Sequence, residues 1–131
     1  MARNLFKMLM IAGCMLVSGY SNAQLYINGA QFFIESGATV TVQGDLTSNV
    51  DILGTGKVLL KGSSNQNIDM NNFTIPALEI DNVSNATLIS AAKIGTNLTF
   101  TNGNIILGSN NLTMASAATI TGPGISKFIV T

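Results

Sequence analysis

Histidine is absent from the 131-residue chain, and cysteine occurs once, as Cys14. Without histidine, the Ser-His-Asp and Cys-His arrangements of nucleophilic catalysis are excluded. Transition-metal sites lose their best ligands for the same reason, so no metal or cofactor is expected. Charge is equally scarce. Asp, Glu, Lys and Arg together make up 9% of the chain, against about 25% in ordinary globular domains, and the formal net charge is zero. Beyond Gln24 the cations are Lys57, Lys61, Lys93 and Lys127, scattered singly. Phosphate binding needs them clustered, so nucleic acid is not expected as a partner. Sustained apolar spacing of three to four residues is also missing after Gln24, which argues against helices.

What remains is apolar sequence made soluble by Asn, Ser and Thr. Hydrophobic residues reach 47%. The first 23 residues stand apart: Arg3 and Lys7 precede the apolar run "MLMIAGCMLVSGY", and "SNA" follows before Gln24. A basic start, a short apolar core and small residues at Ser21 and Ala23 describe a secretory signal peptide, residues 1–23. The run falls short of the roughly 20 apolar residues a bilayer span wants, so no integral membrane span is expected. "IAGC" offers a second reading, a lipobox ending at Cys14. The apolar "MLV" after it is unlike a polar lipoprotein tether, and cleavage after Ala23 fits better. The expected location is secreted or cell envelope. The mature chain, residues 24–131, would then hold no thiol.

Strand signals recur throughout that mature segment. "ATVTVQ", "KVLLK", "ALEID", "NLTF" and "ATIT" are each bounded by Gly, Asn, Asp or Ser, the residues of turns. A β-sandwich would also show short strands at regular spacing. Val40, Val58, Leu78, Leu98 and Ile120, however, recur at steps of about 20 residues. A second series, Ile52, Ile68, Leu88 and Leu107, is read as interleaved at about the same period. Two interleaved series point to an all-β parallel β-helix, a β-solenoid of about five coils. The β-sandwich is the alternative.

The stretch "LTFTNGNIILGSNNLTM" (98–114) then reads as one coil. Leu98–Thr101 is a strand, Asn102–Gly103 a corner, Ile105–Leu107 the next face, Gly108–Asn110 a turn and Asn111–Met114 a third face. "TNG" is also a hairpin signal, the competing reading there. Val58, Leu60, Leu78, Ile80, Leu98 and Phe100 are expected to stack inward, and Thr39, Thr41, Thr99 and Thr101 to face solvent. Stacked coils bring like side chains together, so repeated charges would repel while Thr and Asn ladders would not. Low charge follows from the architecture.

The carboxylates are Glu35, Asp45, Asp51, Asp69, Glu79 and Asp81. Paired carboxylates serve glycoside hydrolysis, and Asp45 with Asp51 is the closest candidate pair outside Glu79–Asp81. No arginine accompanies them after Gln24, as a uronic-acid substrate would want, and acids at turns are commonplace. The chain is therefore not expected to be an enzyme, and no catalytic, cofactor-binding or metal residue is assigned. Calcium lacks its nonapeptide repeat. Asn72, Asn82, Asn85, Asn97 and Asn111 head glycosylation sequons, as chance provides in an Asn- and Thr-rich chain. Phe32 and Phe33 are adjacent, so one points outward on a strand. That marks a carbohydrate-stacking surface or, preferred here, a cap over the first coil.

"GTGKVLLKGSSNQNI" (54–68), "PALEIDNVSNATL" (76–88) and "NLTFTNGNIILGSNNLTM" (97–114) resemble, in this order, repeats of large secreted surface proteins of gliding and polymer-degrading Gram-negative bacteria. The resemblance implies an extracellular β-helical stalk or adhesin-like module. Such proteins often carry a C-terminal sorting domain, whereas this chain stops at "FIVT", leaving truncation of the solenoid open. The expected function is an exported, non-catalytic structural or adhesive module. A fragment of a polysaccharide-active β-helix enzyme and a self-assembling fibre subunit are the alternatives. The expected partner is a cell-surface or extracellular polymer, carbohydrate among the choices, or other copies of the chain.

Overall fold

A computed structural model describes residues 23–131. The signal-peptide reading of residues 1–23 thus lies outside the described residues except for Ala23, and so does Cys14. The described chain is all-β and winds through three faces per turn. The first coil holds β1 (Leu25–Ile27), β2 (Phe32–Ile34) and β3 (Thr39–Val42). The second holds β4 (Leu46–Ser48), β5 (Ile52–Gly54) and β6 (Lys57–Leu60). In the third, β7 (Gln66–Asp69) is followed by β8 (Thr74–Asp81), which runs across two faces. The fourth repeats this with β9 (Ala86–Leu88) and β10 (Ala92–Asn102). The fifth has β11 (Ile105–Ile106), β12 (Leu112–Met114) and β13 (Thr119–Thr121), and β14 (Ile129–Val130) steps one rung further.

Face A stacks β1, β4, β7, β9, β11 and β14 in that order. Face B pairs β2 with β5 and β12 with the start of β10, and the start of β8 with β10. Face C stacks β3, β6, the end of β8, the end of β10 and β13. Every strand ladder is parallel, with an isolated antiparallel bridge between Gly124 and Lys127. This is a β-solenoid of about five turns. The β-sandwich alternative, which needs antiparallel sheets, is overturned.

Register confirms the first 20-residue series. Val40 pairs Val58, Val58 pairs Leu78, Leu78 pairs Leu98, and Leu98 pairs Ile120. The second series needs correction. Ile68 and Leu88 are partners on face A, but Ile52 pairs Phe32 on face B. Leu46 takes the place above Ile68. Leu25, Leu46, Ile68 and Leu88 form that column.

Alternation along each strand divides core from surface. Val58, Leu60, Leu78, Ile80, Leu98 and Phe100 are all buried, while Thr39, Thr41 and Thr101 are exposed and Thr99 half-buried. Faces A and B add Leu46, Ile68, Ile75, Ile94 and Ile105 to the same axial core.

The corners follow from backbone sterics. Asn71, Asn72 and Asn85 adopt positive φ, which Asn tolerates better than branched residues do. At Asn102–Gly103 the chain turns onto face A and pairs in parallel, so the hairpin reading fails there. Gly103 has φ 79°, and a Cβ at this position would collide with the Asn82 carbonyl oxygen of the coil before. Two constraints coincide at that glycine.

Two outcomes are expected in urea unfolding. Leu78→Ala opens a cavity mid-column and should cost about 2–5 kcal/mol. Gly103→Ala should unfold the protein or destabilise it far more than Gly37→Ala. Gly37 also has φ 79° but meets nothing within 4 Å, so its substitution carries only backbone strain of about 1–2 kcal/mol. Equal effects at the two glycines would contradict the close stacking of the third and fourth coils.

Candidate functional site

The exterior of face C passes from the Thr39 and Thr41 hydroxyls of β3 through ion pairs between the second and third coils to amides and hydroxyls again. Lys57 Nζ donates to Glu79, and Thr101 Oγ1 donates to the other Glu79 oxygen at 2.6 Å. Lys61 Nζ lies 2.8 Å from Asp81 Oδ2, while Asn102 Nδ2 donates to Asp81 Oδ1 at 2.7 Å. Each acid therefore has a cation on the coil before and a neutral donor on the coil after. The two lysines are not stacked on like charges, as the repulsion argument requires. Further along, Asn97 Nδ2 donates to Thr119 Oγ1 at 2.7 Å, and the Thr99 and Thr121 hydroxyls meet at 3.1 Å. These are the expected Asn and Thr ladders.

A second polar column is hidden at the corner from face C to face A. Gln66 and Asn82 are each 1% exposed. Gln66 Nε2 donates to the carbonyls of Val42 and Gly44, and its Oε1 accepts from Gly62 N at 2.8 Å. Asn82 Nδ2 donates to Gln66 Oε1 at 2.9 Å and to Ser64 O at 2.8 Å, and Asn82 Oδ1 accepts from Ser84 N. Among the described residues every buried side-chain nitrogen and oxygen has a partner, which is what makes such burial tolerable. Sequence reasoning missed both residues. Their partners lie one coil away, beyond the reach of any local pattern.

The remaining acids are dispersed. Asp45, at the entry to face A, accepts from Asn67 N at 2.8 Å. Asp51, at the entry to face B, accepts from Thr74 N at 2.7 Å. The candidate pair Asp45–Asp51 is thus split between faces, each acid tying its coil to the next. Asp69 accepts from Ser90 Oγ at 2.6 Å, and Glu35 is exposed at a turn. Glu79 and Asp81 do share the outward side of β8, each with its own lysine. No group of three or more acids that could hold a metal ion occurs among the described residues. Of the sequon asparagines, Asn82 is buried in the corner column, and Asn97 is held in the ladder.

Depressions in the surface follow the irregularities of the stack. One of about 420 Å³ is bordered by Gln43, Ser63, Val83 and the Lys61–Asp81 pair. Another of about 270 Å³ is bordered by Gln24, Asp45, Asn65 and Asn67. On face B the ladder breaks between β5 and β8, where Pro76 has no N–H to offer. There Asp51, Leu53, Thr74, Pro76, Gly95 and Thr96 enclose about 270 Å³. An adjoining hollow of about 260 Å³ shares Asp51 and Leu53 with it and adds Gln31 and Val50. Phe32 packs against the core, and Phe33, 60% exposed, stands outward in register with Leu53. Phe32 is thus the inward ring of the pair, half-buried in register with Ile52, and Phe33 is the ring that faces solvent.

The ion pairs set an expected pH response. Glu79 is held below its usual 4.5, chiefly by the hydrogen bond from Lys57 and then by that from Thr101. Asp81 lies below its usual 3.8 through Lys61 and then Asn102, and Lys61 lies above its usual 10.5 through Asp81. A carboxyl depressed by folding stabilises the fold above its unfolded pKa and loses that contribution as pH falls through the folded value. A raised lysine contributes fully below its unfolded pKa and loses the contribution as pH climbs through the elevated value. The urea midpoint should therefore decline below about pH 4.5, and Glu79→Gln should show a lower plateau with a shallower acid decline. Identical acid slopes in the two proteins would refute the Glu79 contribution.

Comparisons with family models, with curated proteins and with solved structures found no match to this chain.

Proposed function

We propose that the chain is an exported, non-catalytic surface module, a rigid structural or adhesive stalk. One observation carries this reading. Outward side chains bond to their counterparts on neighbouring coils, as in Asn97–Thr119 and Thr99–Thr121, so the exterior is a stiff periodic lattice of amides and hydroxyls. On the last two coils such a surface presents matching amides and hydroxyls at successive rungs, about 4.8 Å apart. Periodic display suits a repetitive partner, an extracellular polymer or a cell surface, better than a single small substrate. The acids support the same reading: Asp45, Asp51, Asp69, Glu79 and Asp81 each hold a neighbouring coil in place. Repetition of this kind is what solenoid architectures offer to extended ligands.

The N-terminal sequence supplies the export half of the reading. Full-length protein produced in a Gram-negative host should appear in the periplasm, at the surface or in the medium as a species beginning near Gln24. The purified mature chain should adsorb to cell-surface or extracellular polysaccharide without releasing reducing or unsaturated ends. Retention of an unprocessed form in the cytoplasm would refute export. Release of sugar products, abolished by Glu79→Gln or Asp51→Asn, would replace the module with an enzyme.

A further inference from the structure

The ladder side chains of face C spend their hydrogen bonds on one another, whereas face B carries groups that do not. Phe33 and Leu53 form an outward apolar row on successive coils, whereas on face C the outward Leu59 stands in register between Thr41 and Glu79. Where the ladder breaks beside this row, the two hollows of about 270 and 260 Å³ meet at Asp51 and Leu53. Leu53, Pro76 and Gly95 give this trough an apolar floor. Its rim is polar. Asp51 commits Oδ1 to Thr74 N, leaving its second oxygen as an acceptor, and Thr96 donates its proton to Pro76 O, leaving lone pairs. Gln31 adds an exposed amide. No cation lines either hollow. Lys93 stands in register with Thr74 one coil further along, outside the lining.

We infer that this trough binds a neutral, extended glycan, an assignment that rests on reading the chain as an adhesive module. A pyranose ring has an apolar C–H face and a girdle of hydroxyls. Its C–H face lies on an aromatic or aliphatic floor, and its hydroxyls donate to carboxylate and amide oxygens at the rim. The Leu53–Pro76 floor supplies the first, with the Phe33 ring beside it one rung before Leu53 and outside the lining, and Asp51, Gln31 and Thr96 supply the second. A polyanionic sugar would meet the Asp51 carboxylate with no lining cation to neutralise it. The trough runs across successive rungs about 4.8 Å apart. That spacing is close to the length of one sugar unit, so consecutive rings meet consecutive coils.

The test titrates the mature chain with neutral hexasaccharides (β-1,4-glucan, β-1,4-mannan and β-1,3-glucan) and with an oligogalacturonate of equal length, by calorimetry. At least one neutral probe should bind, the acidic one more weakly or not at all. Phe33→Ala and Leu53→Ser should each weaken binding about tenfold with unchanged urea midpoints, since both side chains face outward. Ile89→Ala, an exposed apolar change in the bend after β9, and Lys93→Ala should leave neutral binding intact. Absence of binding to every neutral probe, or binding indifferent to both trough variants, overturns the assignment. Preference for the acidic probe, lost in Lys93→Ala, overturns it too. If polysaccharide or cells still adsorb the protein in those cases, the adhesive reading stands without the trough. If nothing adsorbs it, both fall.

Discussion

Parallel stacking in register is the constraint from which the rest of this molecule follows. Each coil supplies the hydrogen-bonding partners of the next, so Val40, Val58, Leu78, Leu98 and Ile120 must occupy one column. A shift of one residue in any coil would turn its core side chains to solvent and its threonines inward. The same constraint governs composition. A side chain meets its counterpart about 4.8 Å away, so a column tolerates identical apolar groups, identical hydroxyls or opposite charges, but not like charges. Lys61 against Asp81 obeys this, with Asn102 next in that column, while Glu79 stands in register between Leu59 and Thr99 and takes Lys57 and Thr101 from the diagonal positions. Scarce charge and abundant Asn and Thr are two expressions of one geometry.

Face C was legible in the sequence because its strand segments, such as "TVTV", "KVLL", "ALEI" and "NLTF", alternate plainly over four residues each. Its β-branched and leucine positions recur at the coil period, and alternation marks inside and outside without ambiguity. The stretch from Leu98 to Met114 could be divided into faces for the same reason: Gly103 and Gly108 both have positive φ where the corners were placed. Face A was harder. The corner leading into it spans residues 43–45, 61–65, 82–85, 103–104 and 122–128 in successive coils. Spacing in sequence measures chain length, not position on a face, so Ile52 was drawn into a column that belongs to Leu46.

Three features of the surface and corner were hidden for a different reason. Gln66 and Asn82 look like solvent-facing polar residues, yet they are buried because carbonyls and amides of adjacent coils meet them. Asp45 and Asp51 are close in sequence but belong to different faces, since a corner separates them. Pro76 reads as an ordinary strand start, and only in three dimensions does its missing N–H appear as an opening in face B beside Leu53. In each case the decisive partner is about 20 residues away. Local patterning sees the column and not its neighbours. The trough is therefore a product of interrupted regularity, and the regular columns are the scaffold that holds it open.

The unequal corners carry an evolutionary consequence. Strands on the three faces keep their places while the connection into face A ranges from residues 103–104 to residues 122–128. Indels at that edge are absorbed without disturbing the ladders, whereas indels within a face are not. Genes for such chains can thus grow or shrink by duplicating or losing whole turns, with recombination breakpoints tolerated along a single seam. Length polymorphism among descendants would track that seam, and the corner column of Gln66 and Asn82 would mark which junctions had become fixed.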